Sequence, residues 1–593
     1  MKLPILDTIE TSRDMIDVFG GYNHNLRISS NEFYDMKNLT STYYPVLSPR
    51  TKRGTYAAVS KPTGLISKDS LCYLDGSTFV INKKEHDLGL MPYETASLVS
   101  MGGYVIIITK DKDNNPVDKM WFNTLNFTFG KIEAEFVATG DIQFQICTID
   151  GAEYTDVNAD KSAPKSPENL EYWIDTSSKP YTLKQYSSSS ATWIDVPTTY
   201  VKISSKTQNL GKDFEVYDGV TISGITKGGA KDLNGTCVVQ AKGDNYIVVI
   251  GIIDDIITQT VSEGAIKIER KMPNLDFITE SGNRLWGCKY GIATNGQVVN
   301  EIYACKLGDF KNWNCFMGIS TDSYTASCGT DGAFTGAITH LGYPLFFKET
   351  CVHKVYGNYP ANFQIQTTAC RGVQKGCDRS LAIVNETLFY KARSGVCAYD
   401  GSLPIEMSSQ LGDISYSDAV AGAHGNKYYI SMKDSDGVYH LFIYDTSKGM
   451  WHREDNTKAD AFCSCRGELY YIDGDSSGAK KIKTIFGSGT LDSDAIDWMA
   501  ETGVIGTDSP DKKYISKLNI RMSLAIGTRV HFYIQYDSSG QWQHLFTTTG
   551  MNIRTFTIPV RPQRCDHMRI RVVGKGDAKI YSITKTIEQG SDA

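Results

Sequence analysis

The sequence predicts an all-β protein: a six- or seven-bladed β-propeller with an inserted small β-domain and a C-terminal antiparallel β-sandwich. Its 34 Tyr, 23 Phe and 8 Trp suit the pleated surface of strands, and its 53 Gly in 593 residues suit tight turns. Strand-like runs also return in pairs every ~40 to 50 residues, the spacing of four-stranded propeller blades. Because no stretch sustains the 3.6-residue period of a long helix, both observations indicate strands.

The first domain, residues 1–55, shows neither the strand nor the helix period over any length. It is interrupted by Gly20, Gly21, Pro45 and Pro49, which break regular structure. We therefore predict an extended N-terminal arm that needs other surfaces to hold it.

Propeller character begins near residue 56 and occupies residues 56–136 and 270–487. The clearest hairpin is LCYLDGSTFVI at residues 71–81, where Asp75-Gly76 is typical of a type I′ turn between two strands. Similar hairpins recur along the chain and predict seven candidate blades, of which the end blades are open to question. The candidate ranges are 64–86, 95–135, 278–316, 333–366, 373–408, 414–454 and 458–484.

Two further domains complete the prediction. The blade rhythm stops over residues 137–269, and a connection of that length inside a compact domain must fold on its own, so we predict an inserted β-domain there. Residues 488–593 contain six alternating strand-like runs with polar turns, which favours an antiparallel β-sandwich, with a barrel as the alternative.

Charge and hydropathy exclude several kinds of partner. The 61 Lys and Arg stand against 67 Asp and Glu, a net charge of −6, which leaves no basic excess for stable nucleic-acid binding but allows a conduit through which DNA slides. The longest apolar run, residues 246–253, is far shorter than the ~20 residues of a membrane span and predicts a buried strand. The N-terminus lacks a signal-peptide pattern, and the 14 Cys have no framework spacing, so we expect reduced thiols in the cytoplasm.

Short motifs with chemical potential are weak in this chain. The segment GDSSG at residues 474–478 matches G-x-S-x-G but lies between two strands, not between a strand and a helix. Acidic turns at residues 111–113, 434–437 and 473–478 begin like calcium loops, but the last of them has Thr484 at the position of the final bidentate acid. Three pairs, Cys351 with His353, Cys463 with Cys465 and Cys565 with His567, lack the usual spacing of zinc knuckles. We therefore predict no catalytic, cofactor-binding or metal-ligating residue, no cofactor, and no enzyme activity.

The arm carries the most specific pattern: FGGYN at residues 19–23, NEFYDMKN at 31–38 and YPVLSPRTKRG at 44–54. It resembles the opening of bacteriophage tail proteins of the nozzle or hub type. The resemblance extends to GNRLWG at 282–287, KLGDFKNW at 306–313, GAFTG at 332–336, LFFKE at 345–349, RCDHMRIRVVGKG at 564–576 and the closing EQGSD. YDGVTISG and LNGT in the insertion are similar to small β-barrel modules of such proteins.

This resemblance implies a mechanical function. Nozzle-type proteins form rings, often hexamers, that extend the portal channel, retain the packaged genome and let it pass during ejection. The expected partners are further copies of the chain, other tail, adaptor or portal proteins, and double-stranded DNA in transit, without a membrane span. The expected location is the virion tail, after assembly in the host cytoplasm.

Eight arm residues are the predicted assembly motif: Gly20, Gly21, Glu32, Asp35, Asn38, Pro45, Arg50 and Arg53. The glycines allow a turn where side chains would clash, the Glu, Asp and Asn satisfy the backbone of a neighbouring turn, and Pro45 and Pro49 hold the arm extended. Arg50, Lys52 and Arg53 are suited to pair with acids on an adjacent subunit. Two alternatives stay open here: a clamp between subunits, or an outer strand that closes the chain's own propeller.

Other functions compete with the tail ring. A receptor-binding tail protein would dock host-surface glycan through the sandwich or the Tyr- and Trp-rich insertion. A propeller hydrolase acting on envelope polysaccharide is the third alternative, which the motifs support least.

Overall fold

Strands dominate the structure of this chain. The computed structural model describes residues 10–293, 296–475, 480–508, 511–549 and 552–589. Strands make up 52% and helices 3% of the chain, so the predicted all-β class is confirmed. The chain forms two compact units: unit 1 is Met1–Leu90, Phe346–Val352 and Thr367–Ala593, and unit 2 is Met91–Leu345 and His353–Gln366.

Unit 1 contains four antiparallel meanders of four strands each, which we number by their order along the chain. Meander 1 comprises Pro62–Lys68, Ser70–Asp75, Thr78–Ile81 and Lys84–Asp87. Meander 5 comprises Ala382–Val384, Thr387–Lys391, Val396–Tyr399 and Ile405–Glu406. Meander 6 comprises Ser417–His424, Lys427–Lys433, Tyr439–Asp445 and Met450–Arg453. Meander 7 comprises Ala459–Cys465, Glu468–Asp473, Lys480–Thr484 and, as its fourth strand, Gly54–Val59 from the other end of the sequence.

Unit 2 contains meanders 2 and 3, and meander 4 has residues in both units. Meander 2 comprises Thr95–Met101, Tyr104–Lys110, Pro116–Asn123 and Phe129–Lys131. Meander 3 comprises Phe277–Ser281, Arg284–Ile292, Val298–Ala304 and Tyr324–Ser327. Meander 4 comprises Gly336–His340, Tyr343–Lys348, Cys351–Tyr356 and Gln364–Ala369. Each of the seven candidate blade ranges overlaps one meander, but only 95–135, 373–408 and 414–454 contain all four of its strands. The propeller and its blade count stay a prediction.

Within each unit, neighbouring meanders share buried clusters of apolar side chains. Ile106 and Ile108 of meander 2 share a buried cluster with Leu285 of meander 3. In unit 1, Val59 and Cys465 of meander 7 share one with Leu71 of meander 1. The second strands are buried on both faces, which explains their continuous apolar runs such as YVIIITK.

The first hairpin differs from its prediction by one residue. Asp75 pairs with Thr78, so Gly76 and Ser77 form the two-residue loop, and of these Gly76 has a positive φ of +61°. Asp75 instead ends its strand and accepts hydrogen bonds from the backbone N–H of Ser60 and Lys61. A short acidic side chain that binds nearby amides is therefore part of the strand end and not of the turn.

The inserted domain lies within unit 2 and begins and ends side by side. Ala134–Val137 pairs antiparallel with Lys267–Arg270, so the insertion enters and leaves at one place. Its large sheet has eight strands in the order Ala134–Val137, Lys267–Arg270, Gly219–Ser223, Gly235–Gly243, Tyr246–Ile250, Tyr200–Ser205, Ile142–Cys147 and Ile257–Gln259. Its small sheet has the strands Asn158–Asp160, Tyr172–Asp175, Thr182–Ser187 and Thr192–Asp195. The predicted buried strand near residue 246 is present, with Ile247, Val248 and Val249 buried.

Residues of the N-terminal arm complete both sheets of the C-terminal domain. One sheet has the order Glu10–Ile16, Ala578–Gln589, Lys513–Leu524 and Arg554–Ile558. The other follows the four strands of meander 6 with Gly21–Tyr22, Glu32–Lys37, Asp497–Thr502, Met568–Lys575, Arg529–Tyr536 and Gln543–Thr548. This ten-stranded sheet joins meander 6 to the C-terminal domain through the arm. The boundary expected at residue 488 leaves out those arm strands.

The remaining elements are short. Leu39–Thr40 pairs with Ser48–Pro49, and Thr490–Leu491 pairs with the strand Gly54–Val59. The 3-10 helices are Gly228–Leu233, Val261–Glu263, Pro360–Asn362, Asp378–Ser380 and Ser409–Leu411. Within the described residues, no helix has the length and apolar character needed to cross a membrane.

Candidate functional site

The predicted assembly residues lie where the arm meets the end of meander 6. Arg53 is buried and donates from Nη2 to Glu454 Oε2 at 2.7 Å, and its Nη1 lies 3.1 Å from Asp455 Oδ2. Arg50 lies 3.5 Å from the same Glu454 carboxylate and 3.3 Å from Asp455. Asn38 connects to this group, because Arg50 Nε donates to its Oδ1 at 2.8 Å. We call Asn38, Arg50, Arg53, Glu454 and Asp455 the arm cluster.

The charges of the arm cluster stabilise one another. Burial alone would raise the pKa of Asp455, but Arg53 and Arg50 outweigh it and lower that pKa to about 2. Burial would likewise lower the pKa of Arg53, and Asp455, Tyr471 and Glu454 reverse the effect and raise it. For Arg50, burial and the neighbouring Arg53 lower the pKa. The ion pairs of the cluster therefore fix the arm to the end of meander 6.

This geometry corrects one expectation for the arm. The acids that pair with Arg50 and Arg53 belong to the same chain, so these arginines are not available to acids of an adjacent subunit. Lys52 is also engaged, since its Nζ donates to Ser493 O at 3.1 Å. The strand Gly54–Val59, which begins at the end of the arm, pairs with the chain's own meander 7, as the second alternative expects. The clamp between subunits stays a prediction.

Glu32 and Asp35 bind turns and a neighbouring arginine. Glu32 Oε2 accepts from Ser29 N and from Asn23 Nδ2, each at 2.9 Å, and so holds the turn that precedes the strand Glu32–Lys37. Asp35 Oδ1 accepts from Met36 N at 2.8 Å and lies 2.9 Å from Arg453 Nη1. Both side chains thus satisfy local backbone, as their sequence context suggests, and Asp35 adds an ion pair to meander 6.

The paired glycines allow the arm to approach meander 6. Gly21 has a φ of +90°, and a Cβ at this position would lie 2.5 Å from the carbonyl oxygen of Trp451. At Gly20 a Cβ would lie 3.0 Å from Glu32 Cγ, a tight but adjustable contact. Gly21 is therefore the position where a side chain is excluded.

Pro45 does not hold the arm extended, and that expectation is wrong. It follows a cis peptide bond and lies in a turn closed by hydrogen bonds from Tyr44 N to Ser41 O and from Val46 N to Tyr43 O. These bonds reverse the chain, which lets Leu39–Thr40 pair with Ser48–Pro49. Pro49, in contrast, lies in a short strand.

Sequence reasoning missed the partners of these residues and a second buried cluster. In unit 2, Asp218 forms a buried ion pair with Arg270 and accepts from Asn312 Nδ2 at 2.9 Å. Asn312 Oδ1 in turn accepts from Gly219 N at 2.9 Å. This group ties the inserted domain to the loop after meander 3's third strand. The sequence signal was the presence of Asp218 and Asn312 inside two of the motifs that the sequence analysis compared with tail proteins.

The motifs considered for chemistry have structural contacts. Asp434 Oδ1 accepts from Asp436 N and Val438 N, each at 2.9 Å, as an acidic turn does without calcium. His567 hydrogen-bonds Ser538 Oγ at 2.7 Å. Across the described part of the chain, no three His, Cys, Asp or Glu side chains are grouped so that they could hold a metal ion. Ser476, the serine of GDSSG, lies outside the described residues.

Two cavities stand apart from the arm cluster. The first, in unit 1, measures about 350 Å³ and is lined by residues of meanders 5 and 6 that include Lys391, Arg393 and Tyr416. The second, in unit 2, measures about 450 Å³ and is lined by residues that include the aromatic side chains of Trp286, Tyr343 and Phe363. Both volumes fall in the range of small-molecule pockets.

Comparisons with known proteins give no family for this chain: no family model and no curated protein matches. Among solved structures it is similar to the β-propeller domain of the Trilobed protease from Pyrococcus furiosus, with TM-score 0.26 and 8% identity over 68% of this chain and 95% of that one. It is similar to the acylaminoacyl peptidase of Pyrococcus horikoshii, with TM-score 0.25 and 8% identity over 66% of this chain and 51% of that one. It is also similar to a mutant Trypanosoma rangeli sialidase displaying trans-sialidase activity, with TM-score 0.22 and 8% identity over 93% of this chain and 96% of that one.

These matches contradict the expectation that the chain is not an enzyme, because the matched structures are peptidases, a sialidase and glycoside hydrolases. That expectation is withdrawn. At TM-scores below 0.3 the likeness assigns no reaction to this chain.

Proposed function

We propose that this protein is a structural subunit of a bacteriophage tail, of the nozzle or hub type, which forms a ring that extends the DNA channel. The ring would retain the packaged genome and pass it during ejection. The observation that carries the proposal is the ten-stranded sheet in which the arm strands Gly21–Tyr22 and Glu32–Lys37 join meander 6 to the C-terminal domain.

A continuous sheet suits a part that bears load. A flexible linker between two β-domains would let them move apart, whereas backbone hydrogen bonds and the buried arm cluster fix one to the other. The arm residues that resemble tail proteins are the same residues that form this joint. The motif therefore has a mechanical role in the chain, which supports the resemblance as a guide to function.

The charge of the chain is compatible with a DNA duct. Each phosphate neutralised by Lys or Arg adds a salt-dependent attraction that would slow sliding. A net charge of −6 per subunit keeps such attraction weak. Mild acidity alone is common, so this point supports the proposal without carrying it.

Electron microscopy of the purified protein tests the proposal. We expect closed rings with a lumen wide enough for duplex DNA, and light scattering should give a mass that is a fixed multiple of 65.7 kDa. A chain that stays monomeric at high concentration and is absent from purified virions would refute the proposal.

A second candidate function, recognition of a host-surface glycan, is favoured by the aromatic cavity of unit 2. Phe363 packs edge-on to Trp286 with ring centroids 4.9 Å apart, and Tyr343, 36% exposed, also lines the cavity. Aromatic faces beside polar groups suit the apolar face of a sugar ring. On a glycan array, Tyr343→Ala should abolish binding that Tyr359→Ala, an exposed tyrosine outside the cavity lining, leaves intact. Equal binding by both variants would exclude this cavity.

A further inference from the structure

The cavity between meanders 5 and 6 contains a buried lysine with an incomplete set of partners. Lys391 is 2% exposed, and its Nζ donates to Gln374 Oε1 at 2.8 Å and to Ala392 O at 2.5 Å. An ammonium group has three N–H donors, and the described residues supply only these two acceptors. Both acceptors are neutral.

A buried ammonium group without a carboxylate partner is costly. Neutral carbonyl oxygens offset only in part the free energy that the group loses with its hydration. Consistent with this, burial lowers the pKa of Lys391. An anion in the adjoining cavity would supply the missing acceptor and the missing charge.

The other charged groups of the cavity leave room for such an anion. Glu406 lines the cavity, but its Oε2 is bound by Arg371 at 2.7 Å, outside the lining. Arg393 is exposed at the cavity and has no ion pair among the described residues. Asp413 is exposed among the lining residues. Lys391 and Arg393 are therefore the cations of the lining, and of its two acids Glu406 is paired with Arg371.

We propose that this cavity binds a small hydroxylated molecule that carries an oxyanion, such as an acidic or phosphorylated sugar. The oxyanion binds Lys391 and Arg393, and the hydroxyls of Ser394 and Ser409, both in the lining, bind the hydroxylated part. A volume of about 350 Å³ lies at the small end of ligand pockets, which favours a ligand of one or two rings. The site lies within one chain, so the proposal does not depend on ring assembly.

Calorimetric titration of the intact protein tests the site. The ligands are glucuronic acid for the carboxylate, glucose 6-phosphate for the phosphate, inorganic phosphate, and glucose as the uncharged control. We expect at least one charged sugar to bind with Kd below about 1 mM, weaker binding at higher salt, and no binding of glucose. Whether the carboxylate, the phosphate or both bind identifies the class of ligand.

Variants then place the ligand. Lys391→Met should abolish binding, and Arg393→Gln, at an exposed position that leaves the fold intact, should weaken it at least about tenfold, the effect of one charge-assisted hydrogen bond. Lys433→Met is the matched control, because Lys433 ends the second strand of meander 6 as Lys391 does in meander 5 but lies outside the cavity lining. Absence of binding by every charged ligand, equal binding of glucose, or unchanged affinity in Arg393→Gln would overturn the proposal.

Discussion

At the scale of single residues, the most consequential side chain is Arg53. Its guanidinium is buried with Glu454 and Asp455, which come from a position some four hundred residues later in the chain. Removing one partner of such a group leaves charges buried without compensation, which costs more than the pair itself contributes.

Arg53→Met should lower the free energy of unfolding by about 3 kcal/mol or more. Lys52→Met, whose side chain binds only the exposed carbonyl of Ser493, should change it by less than about 0.5 kcal/mol. Chemical denaturation of both variants measures the difference. Equal stability of Arg53→Met and Lys52→Met would contradict the conclusion that the arm cluster fixes the arm to meander 6.

The same variant should change stability in acid. Arg53 and Arg50 lower the pKa of Asp455 from 3.8 to about 2, so its carboxylate stabilises the fold above pH 4 and loses that effect as the pH falls through 2. Without Arg53, the Asp455 pKa should rise and the loss should begin at higher pH. The pH midpoint of acid unfolding should therefore be higher in Arg53→Met than in the unmodified protein, in addition to the lower free energy of unfolding at neutral pH.

His452, beside the arm cluster in sequence, predicts a second pH effect. It is 4% exposed, its Nδ1 has no hydrogen-bond partner in the described part of the chain, and burial followed by repulsion from Lys427 lowers its pKa from 6.5 to about 3. Between pH 6.5 and 3 the unfolded chain then binds one more proton than the folded chain, so the free energy of unfolding decreases as the pH is lowered through this range.

His452→Gln should remove this dependence, which amounts to about 1.4 kcal/mol per pH unit between pH 6 and 4. Unfolding midpoints measured across that range give the slope. The exposed His544→Gln serves as the control and should keep the slope of the unmodified protein. A slope that stays unchanged in His452→Gln would show that this histidine titrates normally.

The residue types in the arm could be selected from the sequence, but their partners could not. Gly21, Glu32 and Asp35 have the turn and backbone roles that their residue types suggest. Glu454 and Asp455 were missed as partners of these arginines because a sequence does not indicate which distant acid a buried arginine binds. The same applies to Lys391, whose Nζ binds Gln374 of the loop that precedes its meander.

At the scale of elements, the arm is a set of strands and not an extended tail. Turn residues and short runs of β-branched and aromatic residues predicted most of the meanders, including the second strands that are buried on both faces. The arm strands were missed because three of them have only two residues, and because Glu10–Ile16 and Glu32–Lys37 pair with segments far away in sequence. A local pattern cannot identify a strand whose partners are all distant.

Gly21→Ala should release the arm from meander 6. A non-glycine residue at this positive φ costs about 1 to 3 kcal/mol. The contact of its Cβ with Trp451 O also forces the backbone to move. Gly76→Ala is the control: its φ is +61° but nothing lies within 4 Å of the added Cβ. Hydrogen exchange should show lost protection over residues 21–37 only in Gly21→Ala. Equal protection in both variants would mean that the close approach does not matter.

At the scale of the whole molecule, the insertion was predicted because the blade rhythm stops, and its predicted limits, residues 137 and 269, lie in the paired strands Ala134–Val137 and Lys267–Arg270. Its sheet order was beyond the sequence, since several of its neighbouring strands are not consecutive. The C-terminal boundary was harder, because strands from the arm complete that domain.

The insertion should fold as an isolated fragment. Residues 134–270 keep the paired end strands, the Asp218–Arg270 ion pair and a buried core that includes Phe136, Phe144 and Ile268. A fragment of residues 138–266 is the matched control, because it lacks both end strands and with them Phe136, Ile268 and Arg270. Cooperative thermal unfolding and dispersed amide signals are expected for the longer fragment, with lower stability or no fold for the shorter one. If the longer fragment is unfolded, the insertion depends on its contacts with Asn312 and the neighbouring loop, and the core alone is too weak to hold it.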